Sequence, residues 1–144
     1  MAKAADVRFY VDADILGLGK LLCDVRTDVT YPGFAGGKMH GRMRPPCPIT
    51  STEVDDTVWI PETARHGWLI LTRDSAIQQS TAEIAAVRDS GARMIALVGQ
   101  DARNTWEQLH IVMRRWDRIE EALAEPGPFI YALGKAAFRK VDLG

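Results

Sequence analysis

The chain has 144 residues, 47% hydrophobic and 26% charged, with a formal net charge of -1. That length suits one domain and excludes a second full one, and the composition excludes a disordered, collagenous or membrane-embedded chain. A near-zero total argues against a molecule that is basic throughout, but it leaves the local distribution open, so charge is read segment by segment.

In chain order, Met1 to Asp6 carries a lysine with no apolar stretch behind it. No secretory signal is expected, and the chain is read as cytoplasmic. Val7 to Val11 is a β-branched and aromatic run that ends in Asp12, and Ile15 to Leu22 follows as a buried helix. Tyr31 to Pro48 holds Pro32, Pro45, Pro46 and Pro48 with Gly33, Gly36, Gly37 and Gly41, which predicts a long loop. Between Lys38 and Arg44 that loop is basic, with Lys38, His40, Arg42 and Arg44 and no acid.

Val58 to His66 reads as a short helix with Pro61 in its first turn, where a missing N–H costs least. Trp68 to Thr72 is a second strand, stopped by Arg73-Asp74. Ser80 with Glu83 forms a capping box for a helix to Ser90 that Gly91 ends, and Arg93 to Val98 is a third strand. Asn104 and Glu107 open a further helix, whose Trp106, Leu109, Met113, Trp116 and Leu123 recur at three-and-four spacing as a core face. After Pro126-Gly127-Pro128, Phe129 to Leu133 and Ala137 to Val141 read as a terminal β-hairpin. Strands alternating with helices predict a three-layer α/β domain with a mostly parallel sheet, a single unit over residues 1–144 with its core at 7–124 and an extension at 127–144.

No apolar run approaches the roughly 20 residues of a membrane span. Cys23 and Cys47 lack CxxC spacing and are read as free thiols, and with His40, His66 and His110 scattered a zinc site is not expected. Any metal is expected on oxygen ligands.

Parallel α/β sheets bind ligands outside the carboxyl ends of their strands. Asp12 closes the first strand with Asp14 two residues on, Asp74 closes the second, and Asp55-Asp56 lies between them at the start of the segment leading back into the sheet. Asp12, Asp14 or Asp56 alone reads equally well as a helix N-cap. Together they form a carboxylate cluster whose mutual repulsion a cation relieves, and oxygen-only ligands of this kind suit Mg²⁺ or Mn²⁺ and phosphoryl chemistry. Asp101, after the third strand, reads as a turn residue or a fourth acid. Arg114, Arg115 and Arg118 read as a solvated face.

Three pieces then resemble a known family: Val11-Asp12-Ala13-Asp14, Asp56-Thr57-Val58-Trp59-Ile60-Pro61, and Leu71-Thr72-Arg73-Asp74. They resemble the PIN-like domain, in particular the ribonuclease toxins of VapC type in toxin-antitoxin pairs. The resemblance covers Val7 to about Leu123. It implies a three-layer α/β/α PIN-like fold and metal-dependent endonucleolytic cleavage of RNA, with Mg²⁺ or Mn²⁺ held by Asp12, Asp56 and Asp74. Asp14 completes the catalytic set where the family often has a polar helper. Asp55 adjoins Asp56 and is the alternative ligand, while the glutamate the family usually carries in a helix between the first acid and the piece at residues 56–61 has no clear counterpart, that region being the Pro/Gly-rich loop, and Glu53 is the only nearby candidate. Lys38, Arg42, Arg44 and Arg73 are the expected contacts to RNA phosphates.

The implied partners are RNA and a cognate antitoxin protein. A homodimer is expected from exposed apolar residues on the two C-terminal strands, and no membrane partner is expected. Two other classes compete. A strand followed by D-x-D and a later strand ending in Thr72 resemble the haloacid-dehalogenase-like phosphatases, with Asp12 as nucleophile and Asp14 as general acid; the lysine that family needs is missing between Lys38 and Lys135. The third is a PIN-like binding module without catalysis.

Overall fold

The computed structural model describes residues 2–73, 80–99 and 102–144, so Asp74 and Asp101 lie outside the described residues. Its elements are β1 (Lys3–Ala4), β2 (Phe9–Val11), a 3-10 turn (Ala13–Ile15), α1 (Leu16–Val25), β3 (Val29–Thr30), β4 (Gly37–Met39) and β5 (Arg42–Arg44). Then follow α2 (Asp56–His66), β6 (Leu69–Arg73), α3 (Thr81–Ser90), β7 (Arg93–Leu97), α4 (Thr105–Arg114), α5 (Trp116–Leu123), β8 (Phe129–Leu133) and β9 (Phe138–Lys140).

A six-stranded sheet has the order β3-β2-β6-β7-β8-β9, parallel through β8, with β9 antiparallel to β8. Continuous apolar runs suit this arrangement, because a parallel strand covered on both faces has no solvent side to alternate with. Phe9, Val11, Leu69, Ile70, Leu71, Ile95 and Leu97 are all fully buried. Each such side chain contributes on the order of 1.5–3 kcal/mol of transfer free energy. Neighbouring side chains on β2 show the two helical layers. Phe9 packs on Trp116 of α5, with ring centroids 5.1 Å apart, whereas Tyr10 points the other way onto Trp59 of α2 at 5.2 Å. Three-layer α/β architecture with a mostly parallel sheet and a C-terminal antiparallel pair is therefore the fold.

Local signals placed most boundaries. The Ser80 side chain accepts from the Glu83 N–H at the start of α3, the Asn104 side chain accepts from the Glu107 N–H at the start of α4, and Gly91 ends α3 in the left-handed conformation. Both cysteines are free and buried. No helix among the described residues is long and apolar enough to cross a membrane.

Four expectations are corrected. The Tyr31–Pro48 segment is not all loop: β4 and β5 form an antiparallel hairpin that β1 extends into a small separate sheet. Its turn uses His40 (φ 50) and Gly41 (φ 75), the paired positive-φ residues of a type I′ turn, so residues that read as breakers serve as hairpin chemistry. Pro61 sits inside α2 rather than in its first turn, because Asp55 caps the helix ahead of Val58. The helix after Asn104 is two helices broken at Arg115, and the spacing that ran across the break misplaces its front end: Trp106 is 75% exposed and Met113 70% exposed, while Trp116 is packed. Lastly, the C-terminal strands expose no apolar face. β8 is buried throughout, and the exposed residues of β9 are Arg139 and Lys140; the exposed apolar side chains Val25, Trp106 and Met113 lie instead on α1 and α4.

At the amino ends of the strands, Asp28 is clamped by two guanidinium groups. Arg8 reaches it at 2.7 Å and Arg26 at 2.8 Å, and Arg8 also meets Glu120 at 3.2 Å. Burial acts to raise the Asp28 pKa, but the hydrogen bonds from Arg26 and Arg8 win and hold it below the ordinary carboxylate value. A depressed folded pKa contributes stability above the unfolded value, lost as pH falls through the folded one. Asp28→Asn is accordingly expected to cost about 1–2 kcal/mol at pH 7, after discounting for the part-exposed arginines, with the difference shrinking below about pH 4. Urea melts at several pH values check this; a deficit that stays constant on acidification contradicts it.

Candidate functional site

The strand order reverses beside β2, with β3 on one side and β6 on the other, which makes the crevice at the carboxyl ends of β2 and β6 the topological switch point. Register brings the chemistry there. Val11 pairs with Leu71, and the Asp12 N–H donates to the Leu71 carbonyl at 2.9 Å, so the residue after β2 lies beside Thr72 of β6. Asp12 also accepts from the Ala13 N–H at 2.6 Å, capping the 3-10 turn whose first-turn acid is Asp14.

Thr72 is buried, and its hydroxyl lies 2.9 Å from Asp12 Oδ2 and 3.2 and 3.1 Å from the two oxygens of Asp14. A hydroxyl has one proton to donate, so it cannot satisfy both carboxylates at once. α2 supplies the opposite wall. Asp55 is the N-cap, accepting from the N–H and hydroxyl of Thr57, each at 2.9 Å. Asp56 instead faces the cleft, with its Oδ1 accepting from the Trp59 indole N–H at 2.7 Å. Glu83 enters from the first turn of α3. Together these side chains line a cleft of about 270 Å³, with Thr52, Val54 and Trp59 completing its wall.

Asp12 is held above the ordinary carboxylate range, first because burial disfavours its charged form and further by the nearby charge of Asp56. Hydrogen bonds from Thr72 and the Ala13 N–H act the other way, as does Asp14, which lies within hydrogen-bonding reach of Asp12. The Tyr10 phenol beneath is pushed up as well, by burial and then by the charge of Asp12. Crowded carboxyl groups of this kind need a proton or a cation among them. Carboxylate and hydroxyl oxygens are hard donors, which fits Mg²⁺ or Mn²⁺ and not a thiophilic metal. Among the described residues, no three Asp, Glu, His or Cys side chains are yet drawn together as a ready coordination group.

Of the expected site residues, the structure brings Asp12, Asp14 and Asp56 to one cleft; Asp74 and Asp101 lie outside the described residues. Glu53 is exposed and is not among the cleft residues, although Thr52 and Val54 on either side are. Arg73 ends β6, exposed, next to Thr72. The remaining cations do not converge on the acids. Arg44 is committed to the carbonyls of Gly37 and Cys23, at 3.0 and 2.7 Å, with its guanidinium over Phe34. Lys38 and Arg42 are exposed on the β4–β5 hairpin, whose tip shares a groove with Arg26, Thr27 and Asp28. Since the Asp28 carbonyl accepts from the N–H groups of Arg8 and Phe9, that groove is at the amino end of β2, opposite the cleft.

Thr52 draws no notice in the sequence, while Glu83, which reads as a cap, and Trp59, which reads as part of the motif at residues 56–61, are given no role at the site there. A signal for Glu83 existed: the helix opened by Ser80 follows a strand, and the first turn of such a helix returns from the sheet's carboxyl edge. Its place in a capping box supplied a sufficient structural role and hid the functional one.

Asp12→Asn tests the crowding. With a raised folded pKa, the folded state binds the proton more tightly than the unfolded state, and stability is lost as pH rises through the folded value. Removing the carboxylate removes that loss. In EDTA at pH 7 the variant is expected to melt above wild type, by about 2–4 °C per kcal/mol recovered, the two converging near about pH 4. An equal or lower melting temperature at pH 7 refutes the argument.

Residues 40–99 match a family model described as PIN like domain, a segment that includes Asp56, Thr72 and Glu83. No curated protein and no solved structure matches the chain.

Proposed function

We propose that this chain is a metal-dependent endoribonuclease and the toxin of a type II toxin-antitoxin pair. The observation that carries the nuclease reading is the convergence of Asp12, Asp14, Asp56 and Glu83 on one cleft at the switch point of the sheet, in a chain whose residues 40–99 match the PIN-like model. PIN-like domains are a family often associated with nucleases. The toxin role and the antitoxin partner rest on the resemblance to VapC-type chains alone.

In this reading Asp12 and Asp56 would hold Mg²⁺ or Mn²⁺, with Asp74 as the third ligand that the resemblance implies. A bound ion would supply the positive charge that lets a phosphodiester approach a cleft of carboxylates and that stabilises charge developing on phosphorus. The chain's own groups do the rest. The Thr72 hydroxyl lies within reach of both the Asp12 and Asp14 carboxyls and donates its one proton to either of them in turn. Asp14, not needed as a ligand, is the group placed to accept a proton from an attacking water, as general base. Glu83 faces them from α3 and extends the acidic wall. Arg73, at the exposed end of β6, is the cation placed to meet a phosphate beside the scissile one.

The direct test is incubation of the purified protein with an RNA pool and Mn²⁺ or Mg²⁺. Wild type is expected to cleave internally, EDTA to abolish cleavage, and Asp12→Asn or Asp56→Asn to lower the rate by at least about 100-fold. Cleavage that persists in EDTA overturns the metal mechanism, and phosphoryl transfer from a small ester onto Asp12 in place of RNA cleavage overturns the nuclease.

Binding separates the basic residues. Arg73→Ala is expected to weaken RNA binding and to reduce the salt slope of log K by about 1, the signature of one lost phosphate contact. Arg42→Ala, at the opposite end of the sheet, is expected to leave cleavage of a short oligonucleotide unchanged. Equal losses for the two variants would place the RNA across the hairpin as well.

A further inference from the structure

Trp59 is the least explained member of the cleft. It is 4% exposed, and its ring packs on Tyr10, whose strand delivers Asp12 two residues later. A buried tryptophan on a helix three residues after an acid is ordinary core packing. Its indole N–H, however, is not spent on a main-chain carbonyl. It donates at 2.7 Å to Asp56, the cleft carboxylate, while Asp55 next door takes the capping task that would otherwise compete for Asp56.

We propose that Trp59 is a positioning residue: its indole N–H fixes the plane of the Asp56 carboxylate for a divalent cation, and its ring, wedged on Tyr10, ties that carboxylate to the strand that carries Asp12. The proposal rests on the metal reading above. Its physical basis is the general behaviour of groups hydrogen-bonded to metal ligands. A carboxylate on an exposed first turn rotates freely, and each free rotation must be frozen when an ion binds. A donor that is itself immobilised removes that cost in advance, and loss of such a donor usually weakens metal binding by about 10–100-fold. Trp59 is immobilised by burial and by ring contact, and one of the two Asp56 oxygens is thereby assigned before any ion arrives. Tyr10 also stacks on Trp68 at 6.2 Å with an interplanar angle of 3°, so the wedge is backed by a second ring.

The test measures Mn²⁺ binding, independent of cleavage, by the electron paramagnetic resonance signal of free Mn²⁺. Trp59→Phe keeps a ring against Tyr10 and deletes only the donor; Trp68→Phe removes the same indole nitrogen from the same stack without touching Asp56. Trp59→Phe is expected to bind Mn²⁺ about 10–100-fold more weakly, with Trp68→Phe close to wild type. Saturating Mn²⁺ should then restore turnover in Trp59→Phe, which a collapsed site would not allow.

A second measurement needs no variant protein to fold beyond assignment of the signals. In wild type labelled at the tryptophan nitrogens, Mg²⁺ is expected to shift the Trp59 indole resonance and to leave those of Trp68, Trp106 and Trp116 in place. Unchanged Mn²⁺ affinity in Trp59→Phe, equal weakening in Trp68→Phe, or a Trp59 resonance that ignores Mg²⁺ while the protein binds it would each overturn the proposal. Wild type that binds neither ion overturns the metal reading itself, and the role of Trp59 with it.

Discussion

The pairing of Val11 with Leu71 is the constraint on which the rest depends. One main-chain hydrogen bond beyond that pair, from Asp12 to Leu71, sets Asp12 beside Thr72 and places Asp14 above the same hydroxyl. A parallel register cannot slip by one residue without turning Tyr10 out of its contact with Trp59 and Phe9 out of its contact with Trp116, because successive side chains face opposite layers. The core therefore holds the acids in place. Side chains with no polar function enforce the geometry of those that have one.

Two aspartates, Asp28 buried and Asp12 partly buried, show what surroundings do to the same residue type. Asp28, at the amino edge, is gripped by Arg8 and Arg26 and is easier to ionise than in water. Asp12, at the carboxyl edge, is held by the hydroxyl of Thr72 and the N–H of Ala13, both neutral, and is harder to ionise. A fixed counter-charge makes the first carboxylate structural and closes it to ligands. Neutral donors orient the second and leave its charge to be answered from outside. The protein thus holds one acid readily ionised and the other resistant to ionisation at opposite edges of the same sheet, and the second is the one that opens into a cleft.

Much of this was legible in the chain, for identifiable reasons. Phe9-Tyr10-Val11 and Leu69-Ile70-Leu71-Thr72 are apolar without alternation, which only a two-sided layer satisfies. Ser80, Asn104, Gly91 and the aspartates after strands carry local backbone chemistry, and local chemistry survives being read in isolation. The errors arose where a pattern had two physical meanings. Glycine and proline between Tyr31 and Pro48 signal turns, and a turn that joins two short strands has the same composition as one inside a loop. Three-and-four spacing from Trp106 to Leu123 continued through a break at Arg115, because spacing records which residues share a face and not whether the helix persists. Charge likewise says nothing of placement: Lys38, Arg42 and Arg44 are adjacent in sequence to nothing acidic, and in the fold Arg44 is bonded to main-chain carbonyls while Arg42 lines a groove at the edge away from the acids.

By itself the sequence determined the kind of layers, most helix starts, the free cysteines and the list of acids that end strands, since each depends on neighbours within a few residues. Tertiary structure decided which acids meet. Asp55 and Asp56 are indistinguishable as residues, and only the direction in which α2 leaves its cap turns one inward to Trp59 and leaves the other at the helix end. Glu83 joins the cleft because α3 starts at the same sheet edge, and the basic hairpin lies away from it because Arg44 is bonded to the Cys23 carbonyl of α1 and Arg42 lines the groove at the opposite edge. Convergence of side chains from four separate elements depends on distances that register and layer packing set together, and no window of a linear chain contains them.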